Sequence, residues 1–388
     1  TELRAKVGDS KSLTVAAGDL IGGSPFLSGL FHDEPSVESL NAMGLDVSSV
    51  GNHEFDEGTD ELLRMQEGGC HPEDGCYFPD EPYGGADFPW LAANVINKAD
   101  GSTFLPGTWV KEIAGTKVGF IGMTLEGTDL LVSPGGISSV TFEDEVETAN
   151  AAARTLKKQG VKAIVVLMHE GGLNTGTYNG CKDISEPIAT MATQFSPEID
   201  QIVTGHTHHP YVCSIPDPDG NPRLVTSAAD YGRVVTETNL VINTRSGEVD
   251  RGRTTSMNHL VTRTAKDPVQ TEVIAKWKAL SGELGAQVVG THVEDIIGHS
   301  DPRSNRAIET PMGNLVADAT LWGTSGANGG AQIAFMNVGG VRASLPMAPT
   351  QGEGSGNITY AEAYAIAPFG NLLNTITMTG ADVKAVLE

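Results

Sequence analysis

The chain has 388 residues, a formal net charge of −24, and is 39% hydrophobic and 19% charged. This length allows two domains with separate cores, and the balance of apolar and charged residues excludes an intrinsically disordered chain. The negative charge repels nucleic acid and anionic membranes, and no apolar run reaches the roughly 18 residues of a membrane-spanning helix.

Apolar periodicity and capping residues predict alternating helices and strands along the chain. Helices are predicted at residues 2–7, 35–43, 60–66, 142–160 and 267–285. Strands are predicted at residues 13–17, 45–50, 90–95, 110–113, 117–123, 163–168, 198–204, 223–228, 234–242 and 333–336. Helices that lead into buried strands are typical of an α/β fold, and the helix at 267–285 is predicted to connect two domains.

Four of the predicted strands run directly into polar residues. In chain order these clusters are Gly18-Asp19, Gly51-Asn52-His53, His169-Glu170 and Gly205-His206-Thr207-His208. Buried strands that end in polar groups are typical of a sheet that gathers ligands at one edge. A lone histidine in such a place is more often an ordinary hydrogen-bonded core residue. Four clusters of Asp, Asn and His with the same placement indicate a metal site suited to Zn, Mn or Fe.

The cluster after residue 50 also carries residues suited to proton transfer. Asn52 offers a neutral oxygen to a hard cation, and His53 can exchange a proton near pH 7. Asp56, three residues later, can accept a hydrogen bond from the imidazole and orient it. The alternative is an ordinary strand-to-loop turn with polar residues facing water, and the other three clusters weigh against it.

The chain has four cysteines, Cys70, Cys76, Cys181 and Cys213. They can form two disulfides between sequence neighbours or take part in a structural zinc site. Neither pair has Cys-x-x-Cys spacing, and no other ligand cluster completes a zinc site. We therefore expect the disulfides Cys70–Cys76 and Cys181–Cys213, which indicate an oxidising, exported location.

The order of these motifs, Gly18-Asp19, Gly51-Asn52-His53-Glu54, His169 and Gly205-His206-Thr207-His208, resembles that of the calcineurin-like metallophosphoesterases. Within them the chain is similar to the secreted bacterial 5'-nucleotidases, which also hydrolyse UDP-sugars and cyclic nucleotides. The resemblance implies a four-layer α/β/β/α catalytic domain at residues 1–262 that lacks its first strand. It further implies a connecting helix at residues 263–285 and an α/β nucleotide-recognition domain at residues 286–388. Relative to the family, the chain is expected to be truncated at both ends.

The resemblance also implies a centre of two divalent metal ions, Zn, Mn or similar. Asp19 corresponds to the carboxylate that bridges the two ions. Asn52, His169 and His206 correspond to further ligands of one ion, and His208 to a ligand of the other. The family's Asp-x-His motif, which supplies two more ligands, is not in this sequence and is expected to precede it.

Two further roles follow from the same resemblance. His53 would lie beside the transferred phosphoryl group and stabilise its charge or protonate the leaving oxygen, with Asp56 holding the ring. The Asp-x-His motif is absent from the sequence, which leaves a second interpretation open. In that interpretation the chain binds one metal ion and has weak activity.

The last hundred residues resemble the nucleotide-recognition domain of these enzymes. Asn337 and Arg342 match its Asn-x-Gly-Gly-x-Arg motif, Phe369 matches an aromatic residue that stacks on the base, and Arg306 matches a phosphate- or carboxylate-directed arginine. An arginine side chain binds phosphate with two parallel hydrogen bonds, and an aromatic ring stacks on any base. The alternative interpretation is that these arginines are ordinary surface residues and that Phe369 is an ordinary core residue. A second stacking aromatic lies downstream in the family, beyond the last residue here.

The sequence therefore predicts an exported, metal-dependent hydrolase that releases phosphate from nucleoside 5'-monophosphates outside the cell, in the periplasm or at the cell wall. Its expected partner is a small nucleotide and not a nucleic acid. The alternatives are hydrolysis of UDP-sugars or 2',3'-cyclic nucleotides at the same site, and a non-catalytic ligand-binding homologue. The pair of His53 and Asp56 argues against the last, because binding alone does not need an oriented proton donor.

Overall fold

A computed structural model of the chain describes residues 2–299, 307–350, 352–369 and 371–387. The chain forms two compact units. The first comprises Thr1–Gly22 and Phe31–Ala275, and the second comprises Gly23–Leu30 and Lys276–Glu388. The predicted domain boundaries after residues 262 and 285 stay a prediction.

The structure contains all five predicted helices and nine of the ten predicted strands, together with elements that the sequence did not predict. In chain order the helices are α1 (Glu2–Ala5), α2 (Phe26–Gly29), α3 (Glu34–Met43), α4 (Thr59–Glu67), α5 (Glu145–Lys158), α6 (Ile188–Gln194), α7 (Pro268–Gly285), α8 (Pro311–Thr324), α9 (Tyr360–Ile366) and α10 (Gly380–Leu387). The strands are β1 (Val15–Ala17), β2 (Val47–Ser49), β3 (Trp90–Leu91), β4 (Val95–Asn97), β5 (Thr108–Ile113), β6 (Thr116–Thr124), β7 (Val140–Phe142), β8 (Ala163–His169), β9 (Gln201–Thr204), β10 (Tyr211–Ser214), β11 (Leu224–Ser227), β12 (Val234–Asn239), β13 (Thr255–Leu260), β14 (Val288–Thr291) and β15 (Asn357–Thr359).

Two sheets form the centre of the first unit. Strands β1, β2 and β3 are parallel and make a three-stranded sheet. The larger sheet has the order β10-β11-β9-β8-β6-β5. Its four inner strands are parallel, and the edge strands β5 and β10 are antiparallel to their neighbours.

The first unit is a stack of four layers. Successive side chains of a strand point to opposite faces of its sheet. The odd-numbered apolar residues of β8 pack with Val47 and Leu91 of the three-stranded sheet, and the even-numbered ones pack with Ala149 and Ala153 of α5. On its outer face the three-stranded sheet is covered by α3 and α4. The predicted α/β/β/α arrangement is therefore confirmed.

The second unit has a smaller core, formed by Met312, Val341 and Leu345. Strands β14 and β15 pair antiparallel, and α9 begins with a capping box of Thr359 and Glu362. The predicted strand at residues 333–336 is wrong. Within the described ranges no strand pairs with this segment, and its side chains Ile333 and Phe335 are 60% and 53% exposed.

The two predicted disulfides, Cys70–Cys76 and Cys181–Cys213, are both present in the first unit. Each pairs cysteines that lie near each other in the sequence, at separations of 6 and 32 residues. No helix in the described part of the chain is sufficiently long and apolar to cross a bilayer.

Candidate metal centre

The polar clusters that follow β1, β2, β8 and β9 meet at one edge of the two sheets. Asp19, His169 and His206 each offer a ligand atom, and these atoms all lie within 4.8 Å of one another. The amide oxygen of Asn52 lies 3.1 Å from His206 Nδ1. The fold thus brings together four of the five residues that the sequence predicts as metal ligands, because each lies at or just after the carboxyl end of a parallel strand.

His169 is held in the orientation of a metal ligand. Its Nδ1 donates a hydrogen bond to the Ala17 carbonyl at 2.6 Å, which directs Nε2 towards Asp19, 2.9 Å from Oδ2. Metal-binding histidines commonly donate their second ring N–H to a carbonyl in this way. The position between Nε2 and Oδ2 therefore suits a cation.

Electrostatics at this position favour positive charge. Burial alone would raise the pKa of Asp19, but the adjacent His169 outweighs burial and holds that pKa far below its usual range. Burial alone would lower the pKa of His169, but Asp19 raises it to about 9. Burial and the neighbouring His169 lower the pKa of His206 to about 4, which keeps that ring neutral and able to bind a metal.

Three of the five predicted ligands have a strained backbone. Asp19, His206 and His208 adopt φ angles of 54°, 65° and 61°, in the left-handed region that non-glycine residues rarely occupy. Such strain costs on the order of 1 kcal/mol or more per residue and persists where the surrounding structure fixes it, often at functional sites.

Glycine is required where the strand ends approach each other. A Cβ on Gly51 would lie 2.3 Å from Asp19 Oδ1, and a Cβ on Gly18 would lie 2.5 Å from the Gly51 nitrogen. Gly18 also has a φ of +80°, which side chains disfavour. Together these glycines allow the loops after β1 and β2 to contact each other.

The sequence interpretation gave no role to Glu54, which joins these same loops. Its side chain is buried, and its carboxylate accepts hydrogen bonds from the backbone N–H groups of Gly51, Asp19 and Leu20, the last two at 2.8 and 2.7 Å. Burial, followed by the charge of Asp19, raises the pKa of Glu54 to about 7. Glu54 belongs to the Gly51-Asn52-His53-Glu54 motif, but the sequence alone does not show that it is buried whereas Glu57 is exposed.

His53 and Asp56 form the predicted pair. His53 Nδ1 lies 2.8 Å from Asp56 Oδ2, and the His53 backbone N–H donates to Asp19 Oδ1 at 3.0 Å. With Nδ1 engaged by Asp56, Nε2 is the nitrogen that can exchange a proton with a substrate. The ring is therefore oriented next to the carboxylate predicted to bridge the metals.

His208 has a different partner. Its Nδ1 lies 3.4 Å from Oδ2 of Asp230, a residue that also pairs with Arg233. Burial alone would raise the pKa of Asp230, but its contacts with His208 and Arg233 lower it. Sequence analysis missed Asp230, although it follows the carboxyl end of β11 by the same rule that identified the other clusters.

The second unit brings together two of the predicted nucleotide-binding residues. The guanidinium carbon of Arg342 lies 5.1 Å from the centre of the Phe369 ring, and its backbone N–H donates to the Ile366 carbonyl at 2.7 Å. Asn337 is exposed and directly precedes a short helical turn, Val338–Gly340. Arg306 lies outside the described residues. The roles of these four residues stay a prediction.

Comparison with known proteins agrees with the motifs and the fold. Residues 3–210 match the calcineurin-like phosphoesterases, and residues 288–388 match the 5'-nucleotidase C-terminal domain. A 5'-nucleotidase precursor from Thermus thermophilus superimposes with a TM-score of 0.73 and 26% identity, over 95% of this chain and 66% of that protein.

Two curated relatives are longer than this chain. Endonuclease YhcR of Bacillus subtilis is 34% identical over all of this chain, which spans 29% of that protein. Cell wall protein Lmo0130 of Listeria monocytogenes is 32% identical over 97% of this chain, which spans 49% of that protein. The predicted family resemblance is confirmed. The chain belongs to the calcineurin-like phosphoesterases and carries a 5'-nucleotidase C-terminal domain.

Proposed function

We propose that this chain hydrolyses nucleoside 5'-monophosphates to nucleosides and phosphate, with two divalent metal ions such as Zn²⁺ or Mn²⁺. The observation that carries the proposal is the convergence of Asp19, Asn52, His169 and His206 beside an oriented imidazole, His53. The 5'-nucleotidase C-terminal domain and the fold shared with a 5'-nucleotidase precursor support a nucleotide as the substrate.

The donor set fits a metal. Asp19, Asn52, His169 and His206 would hold one ion, and Asp19 with His208 would contribute to a second. Divalent ions at this position neutralise a phosphoryl group and lower the pKa of a bound water to near neutrality. Carboxylate, amide and imidazole ligands suit Zn²⁺ and Mn²⁺.

The protein's own residues supply proton transfer. His53 would donate a proton to the leaving oxygen or stabilise charge on the phosphoryl group. Asp56 holds the ring and stabilises its charged form through a contact of 2.8 Å. Glu54 contributes indirectly, because its three hydrogen bonds fix the loops that carry Asp19 and Asn52.

In the second unit, Arg342 and Arg306 would bind anionic groups of the nucleotide, Phe369 would stack on its base, and Asn337 would donate or accept hydrogen bonds. The contact between the Arg342 guanidinium and the Phe369 ring supports a joint role. Hydrolysis of UDP-sugars or 2',3'-cyclic nucleotides uses the same metal-centre residues and is the second candidate. The oriented His53 favours both of these hydrolase functions over that of a non-catalytic ligand-binding homologue.

We also propose that the protein is exported. The disulfides Cys70–Cys76 and Cys181–Cys213 support an oxidising location, and one relative is named a cell wall protein.

The experiment measures metal content by elemental analysis after dialysis, together with phosphate release from AMP with and without added Mn²⁺ or Zn²⁺. We expect bound metal and metal-dependent phosphate release, and loss of both in His169→Ala. UDP-glucose and 2',3'-cyclic AMP, assayed in parallel, identify the preferred ester. A folded protein without metal and without turnover under any of these conditions would refute the hydrolase.

A further inference from the structure

A second group of metal-ligating side chains lies in the first unit, outside the candidate metal centre. His32, Glu57, Glu61 and His71 each offer a ligand atom, and these atoms all lie within 4.8 Å of one another. They come from three separate segments, the turn before α3, the region from Glu57 into α4, and the loop closed by Cys70–Cys76. None of them takes part in the proposed hydrolysis.

The two histidines are placed by specific contacts. The His32 and His71 rings stack with their centres 3.7 Å apart. His32 Nδ1 lies 2.5 Å from Glu57 Oε2, and its Nε2 lies 2.9 Å from Asp74 Oδ2. His71 Nδ1 accepts the Asp74 backbone N–H at 3.1 Å, which fixes the orientation of its ring. His32 is thus held between two carboxylates, and His71 is held against the His32 ring.

The negative charge around this group favours the binding of a cation. Glu57 and Asp74 contact His32, whereas Glu61 and Glu34 contact Arg64 at 2.7 Å each. Four carboxylates therefore share two basic groups, His32 and Arg64. The Glu61 side chain is only 10% exposed, so solvent screens its charge poorly. A divalent ion would balance the excess negative charge.

We propose that His32, His71, Glu57 and Glu61 bind a divalent cation of the Zn²⁺ class at a site separate from the metal centre. Imidazole and carboxylate groups both bind Zn²⁺, and two of each can complete a tetrahedral site with ligand atoms about 2.0–2.2 Å from the ion. Glu61 can keep its contact with Arg64, because a carboxylate has about four lone-pair sites.

Such an ion would position the catalytic segment without contacting substrate. Glu57 directly follows Asp56, which orients His53, so an ion held by Glu57 fixes the end of that segment. It would also attach the Cys70–Cys76 loop to α4. We therefore assign it a structural role.

The experiment uses isothermal titration with Zn²⁺ in an Asp19→Asn/His169→Ala background, which weakens the candidate metal centre. We expect one Zn²⁺ per chain to be lost, or its affinity to fall at least about tenfold, when His71→Ala is added. The matched control is His259→Ala, since His259 also pairs with a glutamate, at 2.8 Å from Glu237. It should leave Zn²⁺ binding unchanged.

A second variant covers the case in which His71→Ala fails to fold, as judged by circular dichroism. Glu57→Gln changes a side chain that is 44% exposed and keeps its shape, and it should also weaken Zn²⁺ binding. Unchanged stoichiometry and affinity in the folded variants would overturn the site and indicate that protonated His32 alone balances the carboxylates. Because no step measures hydrolysis, this outcome is independent of the proposed enzyme activity.

Discussion

Replacing Asp56 by Asn tests how His53 acts. The substitution keeps the shape of the side chain but removes the negative charge that lies 2.8 Å from His53 Nδ1. Without that charge the protonated ring loses the carboxylate that stabilises it. We therefore expect Asp56→Asn to slow a step that needs a proton from His53.

The size of the effect follows from the burial of the pair. Both side chains are 17% exposed, so their contact is only partly screened by water. A hydrogen bond to a charged group in such a place contributes about 1.5–3 kcal/mol. If this contribution is made in the transition state, kcat falls about 10- to 150-fold.

Two substrates separate the possible roles of the ring. The 5'-oxygen of AMP is a poor leaving group and needs a proton, whereas p-nitrophenolate leaves readily without one. On AMP we expect kcat to fall by the whole of this factor, about 10- to 150-fold. On p-nitrophenyl phosphate we expect kcat to fall less than about threefold. Metal content should equal that of the unmodified protein, and Asp80→Asn, a change at an exposed aspartate, should have no effect.

Equal losses on the two substrates would refute proton donation to the leaving oxygen and leave only stabilisation of phosphoryl charge. Full activity on both would show that the pair has a structural role.

Three further substitutions test the strand-end packing, the disulfide and the nucleotide contacts. Gly51→Ala places a Cβ 2.3 Å from a carboxylate oxygen. We expect thermal unfolding to show about 1–3 kcal/mol lower stability, and the metal content to fall. The control Gly127→Ala, where the added Cβ meets open space, should leave both unchanged. Cys181→Ala/Cys213→Ala opens a 32-residue loop and should lower the free energy of unfolding in urea by about 3–4 kcal/mol; an unchanged midpoint would contradict this. Arg342→Ala should raise KM for AMP about tenfold or more and leave kcat nearly constant, because a charged hydrogen bond to the bound nucleotide is lost. A fall in kcat alone would exclude a role of Arg342 in nucleotide binding.

The part of the site that the sequence predicts depends on a single rule. Parallel strands end at one edge of a sheet, so polar residues directly after buried strands meet there. Asp19, Asn52, His169 and His206 each lie within three residues of a strand end, and the structure brings them together. The same rule applied to β11 would have identified Asp230.

Other features could not be predicted, because they depend on contacts between distant segments. The burial of Glu54 results from the approach of two loops, which local periodicity does not encode. The group around His32 brings together residues up to 39 positions apart, from His32 to His71, without a common motif. The segment 333–336 has the apolar character of a strand, but among the described residues it has no partner strand, and strands form only in pairs.

The candidate metal centre is costly to fold, and its position explains how the chain tolerates that cost. Left-handed backbone at Asp19, His206 and His208 costs on the order of 1–3 kcal/mol per residue. The buried Glu54 carboxylate also lies next to Asp19, whose negative charge helps to raise the pKa of Glu54. Each strained residue lies within four positions of a strand, and the strands are held by a core packed on both faces. The rigid strands fix the loop conformations, and a bound cation would then relieve the repulsion that burial creates.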